Sequence, residues 1–299
     1  MKRVLKWLGL ILAGLLGLLV VAAVILYALG TSQLNKSRDI QAEAISIHNN
    51  EAVLARGEQL AKGAALCTVC HGADLSGDVV IEDPTIGTVY ADNLTGLGDT
   101  HTDADLIRAI RHGVASDGRQ LLIMPSHIYV NMSAEDLGAM IAYLKSVPAS
   151  GERLPEPDLS FMGRILLAAG LFGDVFPAEL IDHNQPFPPM PEIGANVDYG
   201  AYLAVATGCT DCHGADLAGQ IVDPTEPNSP WAPNLTPGGE LSEWSEAEFI
   251  QAMRTGVSPH GHELDNEWMP YEAYASLEDD ELRGLWLYLQ SLPPTESAD

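Results

Sequence analysis

Two short stretches of this 299-residue chain hold residue types that can fix a cofactor. Cys67, Cys70 and His71 form C-x-x-C-H, and Cys209, Cys212 and His213 repeat it. Two thiols at this spacing can add to the vinyl groups of a haem, and the next residue, histidine, is then close enough to ligate the iron. The pattern is the attachment signature of c-type haem. A structural zinc site would need more Cys or His nearby, and the chain has no further cysteine. A thioredoxin-like dithiol would follow a strand in an α/β pattern, which is absent. Two covalent haems use all four cysteines and leave none for disulfides.

The two motifs lie in an internal repeat. CTVCHGADLSG (Cys67 to Gly77) matches CTDCHGADLAG (Cys209 to Gly219), 142 residues on. Asn93-Leu94-Thr95 matches Asn234-Leu235-Thr236, and DLIRAIRHGV (Asp105 to Val114) matches EFIQAMRTGV (Glu248 to Val257). Met124 to Pro148 then runs without a gap against Met269 to Pro293. Each repeat reads mainly helical. Apolar residues at helix spacing run over Glu51 to Leu66 and Val197 to Ala206. Asp103 to His112 and Ser245 to Thr255 form a second helix, stopped by Gly113 or Gly256. Ser133 to Ser146 and Glu278 to Ser291 form a third, ended by proline. Between them lie Gly/Pro/Asp-rich loops with little strand signal. The expected division is 1–30 anchor, 31–50 stalk, 51–150 first module, 151–196 Pro-rich linker and 197–299 second module.

Each module resembles a class I cytochrome c domain: CxxCH after an N-terminal helix, a distal Met, and a C-terminal helix with an aromatic. In that family a small residue on the first helix packs against an aromatic on the last. Gly57 with Tyr143, and Gly200 with Tyr288, occupy those places. Asn234-Leu235-Thr236-Pro237, Trp244-Ser245-x-x-Glu248-Phe249 and Met269-Pro270-Tyr271 resemble the cytochrome subunits of bacterial membrane-bound alcohol and aldehyde dehydrogenases. Those subunits usually carry three haems, whereas this chain has two motifs. The resemblance implies an all-α chain of two tandem cytochrome c domains behind a transmembrane helix.

The sixth iron ligand, usually Met or His, is narrowed by the repeat. Met132 aligns with Leu277, Met140 with Leu285, Met253 with Ile110, His112 with Thr255 and His127 with Glu272. Only Met124 and Met269 coincide, and each precedes a proline that biases it towards an extended conformation. The competing reading is that these methionines fill core gaps, with Met132 the main rival of Met124. Arg111 and Arg254 match in the repeat, either as partners of haem propionates or as ordinary helix-end charges. Trp244 aligns with His101, and both offer a ring N–H to a propionate; a packed aromatic is the alternative. Asn93 and Asn234 are expected to shape the loop below the haem. His48 and His183 read as surface residues, and His260 and His262 as members of a solvated loop.

Trp7 to Leu29 is 23 residues without a charge, long enough to cross a bilayer. A cleaved signal peptide, cut near Ala28-Leu29-Gly30, would have a shorter apolar region. Lys2, Arg3 and Lys6 precede the span, which puts the remainder outside the cytoplasm. The expected location is the cytoplasmic (inner) membrane, with the modules on the periplasmic side. Within the linker, Phe161 to Gly173 is apolar apart from Arg164 and too short to span. It is expected to pack between the modules, with the bilayer surface or a membrane partner as alternatives.

The formal charge is −26, and beyond residue 30 it is −29, with 12 bases against 41 acids. That excludes nucleic-acid binding and argues against docking on anionic headgroups. It suits redox partners with a basic docking face. The expected role is relay of single electrons from a dehydrogenase or quinol-oxidising complex to a downstream acceptor. The alternatives are a haem-bearing subunit of a larger respiratory complex and, less favoured, a dihaem peroxidase, which needs one open iron site.

Overall fold

The computed structural model describes residues 2–224 and 228–297. Helix α1 (Lys2–Leu34) is apolar over most of its 33 residues, near the N-terminus, and long enough to cross a membrane. The next segment, expected as a stalk, runs along the first module. The Arg38 amide donates to the Gly118 carbonyl (2.8 Å), and Ala42, Ile45 and Ile47 pack on the core.

In the first module, Asn50 caps α2 (Glu51–Gln59), which continues into a π-helical turn over Leu60–Ala64. Leu66, at φ 56°, turns the chain into α3 (Cys67–His71). Strands β1 (Asp78–Asp83) and β2 (Gly87–Ala91) form an antiparallel hairpin. The short helix α4 (Leu97–Thr100) precedes α5 (Asp103–His112), which starts at a Thr102/Asp105 capping box. Gly113 ends α5 at φ 65°, the left-handed stop that glycine takes without a Cβ clash. Helices α6 (Ser126–Tyr129) and α7 (Ala134–Ser146) follow. In the linker, β3 (Asp158–Leu159) pairs with β2 and leads into α8 (Phe161–Ala168).

The second module repeats the plan: α9 (Val197–Ala206), α10 (Cys209–His213), strands β4 (Gln220–Ile221) and β5 (Trp231–Ala232), α11 (Glu246–Thr255), α12 (Tyr271–Tyr274) and α13 (Asp279–Ser291). The three helices expected in each module fall within about a residue of expectation, apart from the π-helical turn closing the first, while the short helices α4, α6 and α12 stand where loops were expected. The hairpin of β1 and β2 is a departure, built where a loop was expected.

In each module the first long helix crosses the last at a glycine. A Cβ on Gly57 would run into the Ala139 carbonyl and lie 2.7 Å from Tyr143 Cβ; one on Gly200 would meet the Gly284 carbonyl and lie 2.8 Å from Tyr288 Cβ. The expected pairings of Gly57 with Tyr143 and Gly200 with Tyr288 are thus in contact.

One apolar core runs through both modules. Their interface is reciprocal, as in an isologous dimer. Arg56 forms a two-pronged ion pair with Asp136 (2.9 Å each) and reaches across to Glu281 (2.6 Å). Tyr199, which matches Arg56 in the repeat, donates to Glu281 (2.6 Å). Gln59 donates across to Glu281 (2.5 Å), and its repeat match Tyr202 donates across to Asp136 (2.8 Å). Burial would lower the Arg56 value, but the two carboxylates hold it above its ordinary range.

The apolar segment 161–173 lies elsewhere than expected. Rather than bridging the modules, α8 packs between the end of α1 and the turn of the β1–β2 hairpin. Tyr27 stacks on Phe161 at 5.1 Å, and a Cβ on Gly163 would strike the Ile86 carbonyl. Val89, Leu159, Leu167 and Phe176 form a separate small core there.

Candidate haem sites

Both CxxCH segments are single helical turns that open on one cavity of about 1350 Å³. Cys67, Cys70, His71 and Met124 of the first module and Cys209, Cys212, His213 and Met269 of the second all line it. The cavity crosses the module interface, where Ile128 lies against Gly208, the residue before Cys209.

The two histidines are oriented alike. His71 Nδ1 lies 2.6 Å from the Asp92 carbonyl, and His213 Nδ1 lies 2.8 Å from the Pro233 carbonyl. A carbonyl only accepts, so Nδ1 carries the proton in both rings and Nε2 keeps its lone pair for a metal. Burial lowers both imidazole values, and the carbonyl contacts only partly offset it, which favours the neutral ring. Burial pushes the Cys67 thiol up to about 12 and the Cys209 thiol to about 11, and raises Cys70 and Cys212 as well.

Met124 and Met269 sit in matching turns. The Ser126 amide donates to the Met124 carbonyl (2.7 Å), and the Tyr271 amide donates to the Met269 carbonyl (2.6 Å). Pro125 (φ −78°, ψ 53°) and Pro270 (φ −71°, ψ 62°) are the centres of inverse γ-turns. The rival Met132 is fully buried and does not line the cavity; Met140 and Met253 do line it.

The Asn-Leu-Thr segments now have a role. Asn93 Oδ1 accepts from the Thr95 amide (2.8 Å), while its Nδ2 donates to the Ser150 carbonyl (2.6 Å). Asn234 does the same with the Thr236 amide (2.8 Å) and the Thr295 carbonyl (2.8 Å). Each asparagine ties the cavity loop to the chain leaving the last helix.

Arg111 and Arg254 do not line the cavity. Arg111 donates to the Val130 and Gln185 carbonyls (2.5 Å each), lies over Phe187 and pairs with Glu43 (3.1 Å). Arg254 donates to the matching Ala275 carbonyl and to Asp279 (2.8 Å). Both guanidinium groups clamp the turn after the Met-Pro segment, so the propionate reading gives way to a structural one.

Trp244 does line the cavity, and its buried Nε1–H has no partner among the described residues. A buried unpaired donor is costly, so this atom fits an acceptor from the cofactor. His101 also lines the cavity, with Nδ1 2.9 Å from the Thr100 hydroxyl. His48 is exposed as expected, but His183 is half-buried, 3.2 Å from His112 Nδ1. His260 and His262 are exposed at the cavity rim, and no cluster of three or more metal-ligating side chains occurs among the described residues.

Sequence reasoning missed Tyr129 and Tyr274. Their buried hydroxyls donate to the Ala65 and Thr207 carbonyls, just before each CxxCH, and fix that segment against the Met-Pro turn. The signal was present: both tyrosines fall five residues after the matching methionine.

The model of the cytochrome c family matches residues 54–148 and 197–293. The chain belongs to the cytochrome c family. It is 32% identical over 267 residues to a nicotinate dehydrogenase component of Pseudomonas putida, covering 81% of this chain and 21% of that one. It is 29% identical over 252 residues to the cytochrome c subunit of alcohol dehydrogenase (quinone) of Gluconacetobacter polyoxogenes, covering 76% and 52%. A diheme cytochrome c-type protein of Cereibacter sphaeroides is 25% identical over 268 residues, covering 81% and 86%. The chain spans from a fifth to about half the length of the first two relatives. With two cytochrome c regions and a diheme relative, this cytochrome carries two covalent c-type haems.

Proposed function

We propose that this cytochrome is a membrane-anchored electron relay in which each haem has His/Met ligation. Cys67 and Cys70 would hold one haem through their thiols, with His71 and Met124 as the residues that would ligate its iron. Cys209, Cys212, His213 and Met269 would do the same for the other. The observation that carries the reading is the duplicated cradle: two CxxCH turns and two Met-Pro turns around a single cavity. Haem iron supplies one-electron chemistry between its ferric and ferrous states, and a thioether ligand raises its potential. The chain's own part is to hold the imidazole tautomer, position the thioether and exclude water.

Electrons enter from a dehydrogenase or quinol-oxidising complex and leave to a downstream carrier or oxidase. A relative named as a dehydrogenase cytochrome subunit supports the donor class and a larger complex as the setting. The modules lie on the periplasmic side of the inner membrane, a reading supported by the cations before α1. The charge of −29 beyond residue 30 favours partners with a basic face, so exchange with such a partner slows as salt rises. Affinity purification from native membranes, with haem staining and partner identification, tests the role. Co-purification of a dehydrogenase or quinol-oxidising complex supports it; a haem-stained chain with peroxide turnover and a high-spin resting spectrum contradicts it.

A further inference from the structure

The surface formed by α8 and the turn after it is unlike the rest of this acidic molecule. From Leu159 to Gly173 the only charged residue is Arg164, and the nearest acids, Asp158 and Asp174, lie just outside. Arg164 turns inward, donating to the Leu159 carbonyl (2.9 Å) and the Thr31 hydroxyl (3.3 Å). Phe161, Met162 and Leu171 point outward and are 55%, 44% and 62% exposed.

The position of this patch identifies what covers it. The apolar run of α1 ends at Leu29, before the polar Thr31, Ser32 and Gln33, and α8 meets α1 at that level. Tyr27 stacks on Phe161, and Gly30 lets the Arg164 backbone approach so closely that a Cβ there would clash with its carbonyl. Tyrosine at the end of a spanning segment sits at the headgroup level. The exposed side chains of α8 are therefore continuous with the lipid-facing surface of α1.

Resting on the membrane-anchored reading above, we propose that residues 161–173 form a second membrane contact. This segment lies in the headgroup–acyl boundary of the bilayer that α1 spans. Insertion of this kind scales with buried apolar area as well as with attraction to anionic lipid, and in a chain with so few cations the apolar area is what drives it. Its consequence is orientation. On its inner side the segment packs on the β1–β2 hairpin, and the Val175 carbonyl accepts from the Ile123 amide (2.9 Å), next to Met124. The first module is thus docked on the bilayer with its Met124 loop near the lipid surface, and does not swing on a tether.

The test uses the full haem-loaded chain in phosphatidylcholine vesicles, with a nitroxide on Met162→Cys, an exposed linker control on Ile193→Cys and an anchor control on Leu15→Cys. Haem content confirms that each variant matures. Relaxation by oxygen and by a water-soluble nickel chelate then reports depth. The proposal expects nickel access at 162 to be several-fold lower than at 193, with oxygen access raised towards that at 15. Equal nickel access at 162 and 193, with 15 shielded, overturns it and leaves the anchor intact. Shielding at 162 in native membranes but not in vesicles assigns the patch to a protein partner and also overturns it. Nickel access at 15 overturns the anchored reading and this proposal with it.

Discussion

Replacing Arg56 with Met should loosen the two modules, and by less at acid pH than at neutral pH. Arg56 is the only cation that contacts Asp136 and Glu281 among the described residues, and their side chains are 15%, 4% and 3% exposed. Removing one partner of a buried ion pair leaves uncompensated charge and costs about 3–5 kcal/mol. For a chain of this size that corresponds to a fall of roughly 6–20 °C in melting temperature. The sign with pH follows from Glu281. Burial raises its value, but the Arg56 charge, the Tyr199 hydroxyl and the Glu278 amide together hold it below its ordinary 4.5. In the parent this contribution is complete above pH 4.5 and is lost as pH falls through the depressed value. Without Arg56 the burial remains while its largest counterweight is gone, so the variant's deficit against the parent shrinks as pH falls through the parent's depressed value. Thermal unfolding of the full chain in detergent, followed by circular dichroism at neutral and mildly acid pH, reads both effects. An unchanged midpoint, or a deficit against the parent that does not shrink on acidification, refutes the reasoning.

Three further outcomes are expected. Gly200→Ala places a Cβ against the Gly284 carbonyl and should destabilise the second module by at least about 1–3 kcal/mol, read as a lower melting temperature; an unchanged midpoint contradicts the helix crossing. Trp244→Phe removes a donor with no partner among the described residues. If a propionate accepts it, a charge-assisted bond of about 1.5–3 kcal/mol is lost, and a redox titration should show one haem potential falling while the other holds; two unchanged potentials contradict the assignment. Glu43→Ala leaves the buried Arg111 and His112 without the acceptor that now lies 3.1 and 2.9 Å away, and should open residues 35–50 to protease. Burial raises the Glu43 value, but His112 and Arg111 hold it below 4.5, so protection in the parent should persist above that pH and fade below it.

The parts of this molecule that were legible in the sequence are those coded by local pattern or by repetition. Helix spacing and the stops at Gly113 and Gly256 are local, so α5 and α11 appeared where expected. The CxxCH turns and Met-Pro turns were legible because the chain states them twice. The hairpin of β1 and β2 was not, because a strand of six residues beside turn residues carries little periodic signal. The reciprocal interface was not either: Arg56 meets Glu281 across 225 residues, and in the repeat it aligns with a tyrosine rather than another arginine. The packing of α8 was misread because its apolar run fits several partners, and only the fold shows that α1 lies beside it.

The central claim is that two matching His/Met cradles hold two haems. Optical spectra of the full oxidised chain, with Met124→Ala, Met269→Ala and the double variant, test it directly through the thioether-to-iron band near the red edge of the visible. Each single variant should lose about half of the band and the double variant all of it, while both haems stay covalently attached. A single variant that keeps the full band would remove that methionine from the iron and contradict the account.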